Sequence, residues 1–95
     1  MSTDHLTLID RLIRYDADTG EFFWRVKRGQ VQRGQPAGSI TREDTLRIVV
    51  DGRSFDGRDI AWFLGHGEWP WAPVEHLNGN TLDNRLENLS TSPGP

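Results

Sequence analysis

Three features of the sequence predict a small α+β domain. Apolar residues recur at helical spacing in two separated stretches. They alternate with polar residues in other stretches bounded by turn formers. The length of 95 residues admits one core and no second domain. A chain of this size buries about 60–65% of the surface it exposes when unfolded. Its stability is therefore expected to be marginal or to be helped by a partner, a homodimer being one form.

The first helix is expected from about Leu6 to Arg14, capped by Thr3 or Asp4, with Leu6, Ile9, Leu12 and Ile13 on one face. Asp16 to Gly20 reads as a turn. Glu21 to Lys27 then reads as a half-buried strand, because Phe22, Trp24 and Val26 alternate with Phe23, Arg25 and Lys27. Residues 29–39 carry Gly29, Gly34, Pro36 and Gly38, the composition of a mobile loop. Leu46, Ile48 and Val50 alternate up to Asp51-Gly52, a pair that tolerates positive φ in a tight hairpin, and the chain returns through Ser54 and Phe55. Asp56 is placed to cap a second helix from about Arg58 to Leu64, packed by Ile60, Ala61, Phe63 and Leu64 and ended by Gly65. Trp62, Trp69 and Trp71 are assigned to core and rim packing ahead of base stacking. The expected whole is an N-terminal helix, a short antiparallel sheet from segments near 21–27, 38–40 and 45–55, a middle helix and a hairpin at 74–90. Residues 1–57 hold the first helix and strands, and residues 58–95 hold the remainder of the single domain.

The absence of cysteine excludes disulfides, thiolate catalysis and cysteine-built zinc sites, and suits a reducing cytoplasm. The first sixteen residues carry acids where a signal peptide carries bases, and charges interrupt every apolar run, so neither export nor a membrane span is expected. A net charge of −3 argues against indiscriminate adhesion to nucleic acid, since backbone affinity comes from Lys and Arg displacing counterions. The distribution is uneven. Arg25, Lys27, Arg28, Arg33 and Arg42 fall in a stretch from Phe22 to Arg42 that has no acid, whereas residues 51–95 hold three bases against seven acids. Arg25, Lys27, Arg28 and Arg33 are thus candidate contacts for phosphate or for a partner protein.

Chemistry concentrates in one short segment. Glu75-His76, Asn78-Gly79-Asn80, Asp83-Asn84-Arg85 and Glu87-Asn88 bring hard oxygen donors beside one imidazole. Such a set can hold Mg²⁺ or Mn²⁺ through oxygens while a neutral histidine takes a proton from an attacking water, the two roles phosphodiester hydrolysis requires. The alternative at this level is that Asn-Gly and Asp-Asn are simply turn formers.

The order of motifs along the chain points further. Tyr15-Asp16, Thr19-Gly20 and Phe23-Trp24-Arg25 are followed by Ala37-Gly38-Ser39 and by Ile48 with Asp51-Gly52. Then come Ala61-Trp62, Gly67-Glu68-Trp69-Pro70, His76-Leu77-Asn78-Gly79, and finally Asp83-Asn84-Arg85-Leu86-Glu87-Asn88-Leu89. In this order they resemble the phage-type HNH homing endonuclease family over roughly residues 8–89. The resemblance implies that His76 is the general base on the first strand of a ββα-metal finger. Glu75 stands where the family has an aspartate metal ligand, its extra methylene moving the carboxylate by roughly an ångström, a shift that can cost about 10²-fold in rate. Asn88 matches the middle asparagine, which ties the strands together and orients the histidine. Arg85, in the same motif, joins the candidate DNA or partner contacts. Two departures accompany these matches. The family carries its last ligand, His or Asn, on a helix beyond the position of Asn88, and Thr91 to Pro95 is expected to supply neither, leaving a remnant finger. Arg58-Asp59 also stands where the family usually reads His-Arg. The implied function is that of an HNH-derived phage protein, catalytically impaired, that binds and inhibits or redirects a host or phage nucleic-acid-processing protein, or binds DNA, in the cytoplasm of an infected host. The alternative is an active nicking endonuclease using Mg²⁺ or Mn²⁺.

Overall fold

The first helix ends earlier than its apolar periodicity predicts. The computed structural model describes residues 3–91, with side chains from His5 onward, so the expected cap at Thr3 or Asp4 involves side chains outside the described ones. Helix α1 (Thr3–Leu12) stops short of Arg14, and Ile13–Asp16 forms strand β1. Strand β1 pairs antiparallel with β2 (Glu21–Trp24), in a register running from Ile13↔Trp24 to Asp16↔Glu21. Tertiary packing overrides the helical pattern here. As a strand, Ile13 is buried and Tyr15 stacks on Phe22 with ring centroids 5.1 Å apart. The Arg25 amide takes the Leu12 carbonyl at 2.8 Å, satisfying a helix-end acceptor. The predicted turn closes the hairpin, with the Gly20 amide on the Asp16 carbonyl at 2.7 Å and the Asp18 amide on Asp16 Oδ1 at 3.0 Å.

Strand β2 likewise ends at Trp24 instead of Lys27. Its second edge is taken by part of the expected mobile loop. The Trp24 amide donates to the Gln35 carbonyl at 2.9 Å, and the amides of Gly34 and Ala37 donate to the carbonyls of Trp24 and Phe22 at 2.8 Å each. Strands β3 (Ser39–Ile40), β4 (Leu46–Val50) and β5 (Arg53–Asp56) form a separate antiparallel sheet in that order. The single sheet expected from 21–27, 38–40 and 45–55 is thus two sheets, because β2 finds its partner in β1. The β4–β5 hairpin is as predicted: Asp51 and Gly52 both take positive φ, 53° and 78°, the geometry of a two-residue turn that matches strand twist.

Helix α2 (Gly57–His66) starts as expected, with Asp56 Oδ1 accepting from the Arg58 amide at 3.1 Å. It runs past Gly65 to a left-handed Gly67, whose amide bonds the Phe63 carbonyl at 2.8 Å. Gly65 serves packing, since a Cβ there would lie 2.6 Å from Leu86 Cδ1. Ile60 and Ala61 are fully buried against Ile9, Ile13, Ile48, Val50 and Phe55. Trp62 and Trp69 pack against this core, whereas Trp71 is 70% exposed and belongs to neither core nor packed rim. The last sheet pairs β6 (Val74–His76) with β7 (Leu89–Thr91), a 3-10 turn at Leu86–Asn88 preceding β7. It corresponds to the hairpin expected at 74–90. The expectation that the tail to Pro95 forms no helix falls, beyond Thr91, outside the described residues. Among the described residues no helix is long and apolar enough to cross a membrane.

Candidate functional site

The short β6–β7 ladder fixes where the candidate residues point. Val74, Glu75 and His76 face Thr91, Ser90 and Leu89 across it. Strand alternation then places the buried Val74 and the half-buried His76 on one face and the exposed Glu75 on the other. Arg58 of α2 holds the strand, its Nη1 donating to the Val74 carbonyl at 3.3 Å, and is itself paired with Asp56 at 3.1 Å. Asp59, at the position where the resemblance expects a base, sits half-buried in the first turn of α2. Burial, with the nearby Asp56 charge, raises its pKa from the ordinary value.

Asn88 locks the loop between the two strands. Its Oδ1 accepts from the Asn78 amide at 3.0 Å, and its Nδ2 donates to Asn78 Oδ1 and to the Asp83 carbonyl, each at 2.9 Å. Its own carbonyl receives the Leu77 amide at 2.8 Å. With the side chain 96% removed from solvent, these bonds satisfy groups that would otherwise be costly to bury. They tie the loop together. The histidine ring, however, meets a different residue.

That residue is Asn84, which sequence reasoning did not single out. Its side chain is 2% exposed, and its Oδ1 lies 2.8 Å from His76 Nε2. An amide oxygen can only accept, so Nε2 carries the hydrogen and the lone pair of the neutral ring sits on Nδ1. The Asn84 carbonyl accepts from the Tyr15 hydroxyl at 2.5 Å. Burial, reinforced by the Asp16 and Asp83 charges, pushes the Tyr15 phenol well above its ordinary pKa. Two glycines make room for Asn84. A Cβ on Gly20 would come within 2.7 Å of its backbone carbon, and one on Gly57 within 3.1 Å of its Nδ2. The Leu86 amide adds a bond of 3.1 Å to the Ala17 carbonyl. The tip of the β1–β2 hairpin therefore seats the loop that holds His76. The signal in the sequence was the pairing of Tyr15 and Thr19-Gly20 with Asp83-Asn84-Arg85 in one motif order, but turn chemistry alone accounts for an Asp-Asn pair.

Arg85 is engaged within the chain. Its Nε and Nη2 grip Asp83 Oδ1 and Oδ2 at 2.8 Å each, and its Nη1 bonds Glu87 at 2.7 Å. These bonds, with one from Asn78, hold the Asp83 carboxyl well below the usual carboxylate range. The four other candidate bases separate into two pairs. Arg25 and Arg33 line a groove of about 480 Å³ together with Arg11, Arg14 and Trp24. Lys27 and Arg28 are exposed beside it, Arg28 bridging back to Val31. Arg11 and Arg14 come from α1 and β1 and were not recognised as site residues from sequence.

For a divalent cation, Glu75 is the neighbouring carboxylate in sequence, exposed on the face of β6 opposite the imidazole. Among the described residues no three His, Cys, Asp or Glu side chains are grouped to hold an ion, so these residues fit part of a cation site only. Compared with known proteins, residues 59–93 match the family model described as HNH endonuclease. Neither a curated protein nor a solved structure matches the chain.

Proposed function

We propose, from the premise that residues 59–93 form an HNH-endonuclease-type segment, that the chain acts on DNA and hydrolyses its phosphodiester bonds slowly, with His76 as proton acceptor. The observation that carries this reading is the 2.8 Å bond from His76 Nε2 to Asn84 Oδ1. It leaves Nδ1 as the basic nitrogen. When Nδ1 takes a proton from a water attacking phosphorus, Nε2–H bonds the same oxygen with a charged donor in place of a neutral one, and such bonds are roughly twice as strong. The ring needs no rearrangement at that moment, because Asn84 is buried and fixed from behind by Tyr15. Mg²⁺ or Mn²⁺ would neutralise charge on the phosphate and on the leaving oxygen, and Glu75 could help to hold it only by reaching round from the other face of β6.

Turnover is slow on this reading because Glu75 extends one methylene further than aspartate, and a misplacement of about an ångström costs on the order of 10²-fold. The same feature favours a second reading, in which the scaffold binds DNA or a nucleic-acid-processing protein without cleaving. Supercoiled plasmid incubated with Mg²⁺ or Mn²⁺ separates the two. The first reading expects slow nicking that His76→Ala lowers by about 10²–10⁴-fold, the usual contribution of a general base, and that Glu75→Asp accelerates. No nicking by either the native chain or Glu75→Asp would leave the non-cleaving reading.

A further inference from the structure

Away from His76, the other end of the β1–β2 hairpin carries a feature that phosphodiester hydrolysis does not use. Arg11 of α1, Arg14 of β1, and Arg25 and Arg33 from the segment after β2 surround one groove, with Trp24, Val26 and Gly34 completing its lining. No acidic side chain lines it. Among the described residues, ion pairs involve only Arg58 and Arg85, so these four guanidinium groups face the groove without a carboxylate partner. In a chain of net charge −3, that is a marked local excess of positive charge.

Two of the four are held in place. Arg14 lies over the Phe23 ring, 4.6 Å from its centroid, across the strand pair Arg14↔Phe23. Arg25 Nη1 donates to the main-chain carbonyl of Asp10 at 2.9 Å. Each retains further N–H donors for a ligand, and a planar guanidinium suits phosphate oxygens two at a time. Gly34 keeps one wall of the groove free of side chain, and the half-buried Trp24 gives it an apolar face.

We infer that this groove binds the phosphodiester backbone of duplex DNA, as a grip separate from the His76 centre. The inference rests on DNA being the substrate class proposed above. Position supports it: β1 and β2 run from the groove at Ile13↔Trp24 to the tip at Asp16↔Glu21 that seats the Asn84 loop. Three residues of strand span about 10 Å, which is the rise of about three base pairs of duplex. One duplex can therefore lie along the hairpin and meet both ends.

The test is binding of the full chain to a labelled 20-base-pair duplex in EDTA, followed by fluorescence anisotropy over a salt series, with a single strand as a second ligand. Arg14→Gln with Arg33→Gln should lower the slope of log affinity against log salt by about two, since each lost phosphate contact removes about 0.9. Arg14→Lys with Arg33→Lys should keep the native slope, which separates loss of charge from damage to the fold. Arg42→Gln with Arg53→Gln, exposed bases outside the groove, should change it much less. Equal falls in the two Gln pairs, a fall in the Lys pair, preference for the single strand, or no duplex binding would overturn the inference. Nicking assays on the same proteins keep the two readings apart. A groove-dependent slope without nicking removes the nuclease reading and leaves the grip, while His76-dependent nicking with an unchanged slope does the reverse.

Discussion

The hydrogen bond between His76 and Asn84 assigns a tautomer, and tautomers are measurable. Long-range ¹H–¹⁵N correlation of the imidazole should show Nε2 protonated and Nδ1 bare at neutral ring charge, because Asn84 Oδ1 at 2.8 Å offers only lone pairs. Replacing Asn84 with Ala should mix the tautomers. It should also cost about 1–3 kcal/mol in thermal or denaturant unfolding, the range for a buried polar group losing its partner. A pure Nε2–H signal surviving in Asn84→Ala would mean that another group fixes the ring. Asn84 illustrates how little of a site residue composition reveals. His76, Glu75 and Asn88 stood out because imidazole, carboxylate and a motif position mark them. Asn84 did not, because an Asp-Asn pair serves as an ordinary turn in most settings. Its burial and its contact with Tyr15 across 69 positions exist only once the chain has folded.

Among the elements, those whose local signals agreed with their packing were legible. The Asp51-Gly52 hairpin and the Asp56-capped helix have turn or cap chemistry pointing the same way as their apolar patterns. Ile13 and Arg14 were misread as helix because Ile13 fits the helical face of Leu6, Ile9 and Leu12, while the strand alternative depends on Phe22 and Trp24 across the turn. The same dependence split the expected single sheet in two. Gly20 packs against the backbone of Asn84 and Arg85, and it gives a direct test of the contact between the hairpin and that loop. Gly20 has φ +78°, and a Cβ on it would lie 2.6 Å from the Arg85 amide nitrogen. Gly67 has φ +82° with nothing within 4 Å of such a Cβ. Both Ala variants bear the left-handed penalty, about 1–2 kcal/mol. Gly20→Ala should add a steric term and reach about 2–5 kcal/mol. Equal losses in chemical denaturation would show that the loop yields freely at Gly20.

At the scale of the whole molecule, Tyr15 reports whether the two halves stand or fall together. It is the chain's single tyrosine, and its hydroxyl bonds the Asn84 carbonyl. Burial raises its pKa, so the unfolded chain ionises first, near pH 10. The contribution of the protonated phenol is complete below that value and declines as pH rises above it. Phenolate absorbance at 295 nm should therefore lag a free tyrosine and appear together with loss of the tryptophan signal. Early ionisation with the tryptophan signal intact would mean that the hairpin lets go of the loop on its own. The seating of Asn84 also bears on how such proteins can be recombined. Residues 59–93, the part that matches a family model, receive the Tyr15 hydroxyl and the Ala17 carbonyl and close over Gly20, all supplied by another stretch of chain. This segment is thus no portable cassette. A chimera that grafts it onto a foreign scaffold has to carry the 13–24 hairpin with it, or provide an equivalent floor for Asn84, before His76 can be presented in the same state.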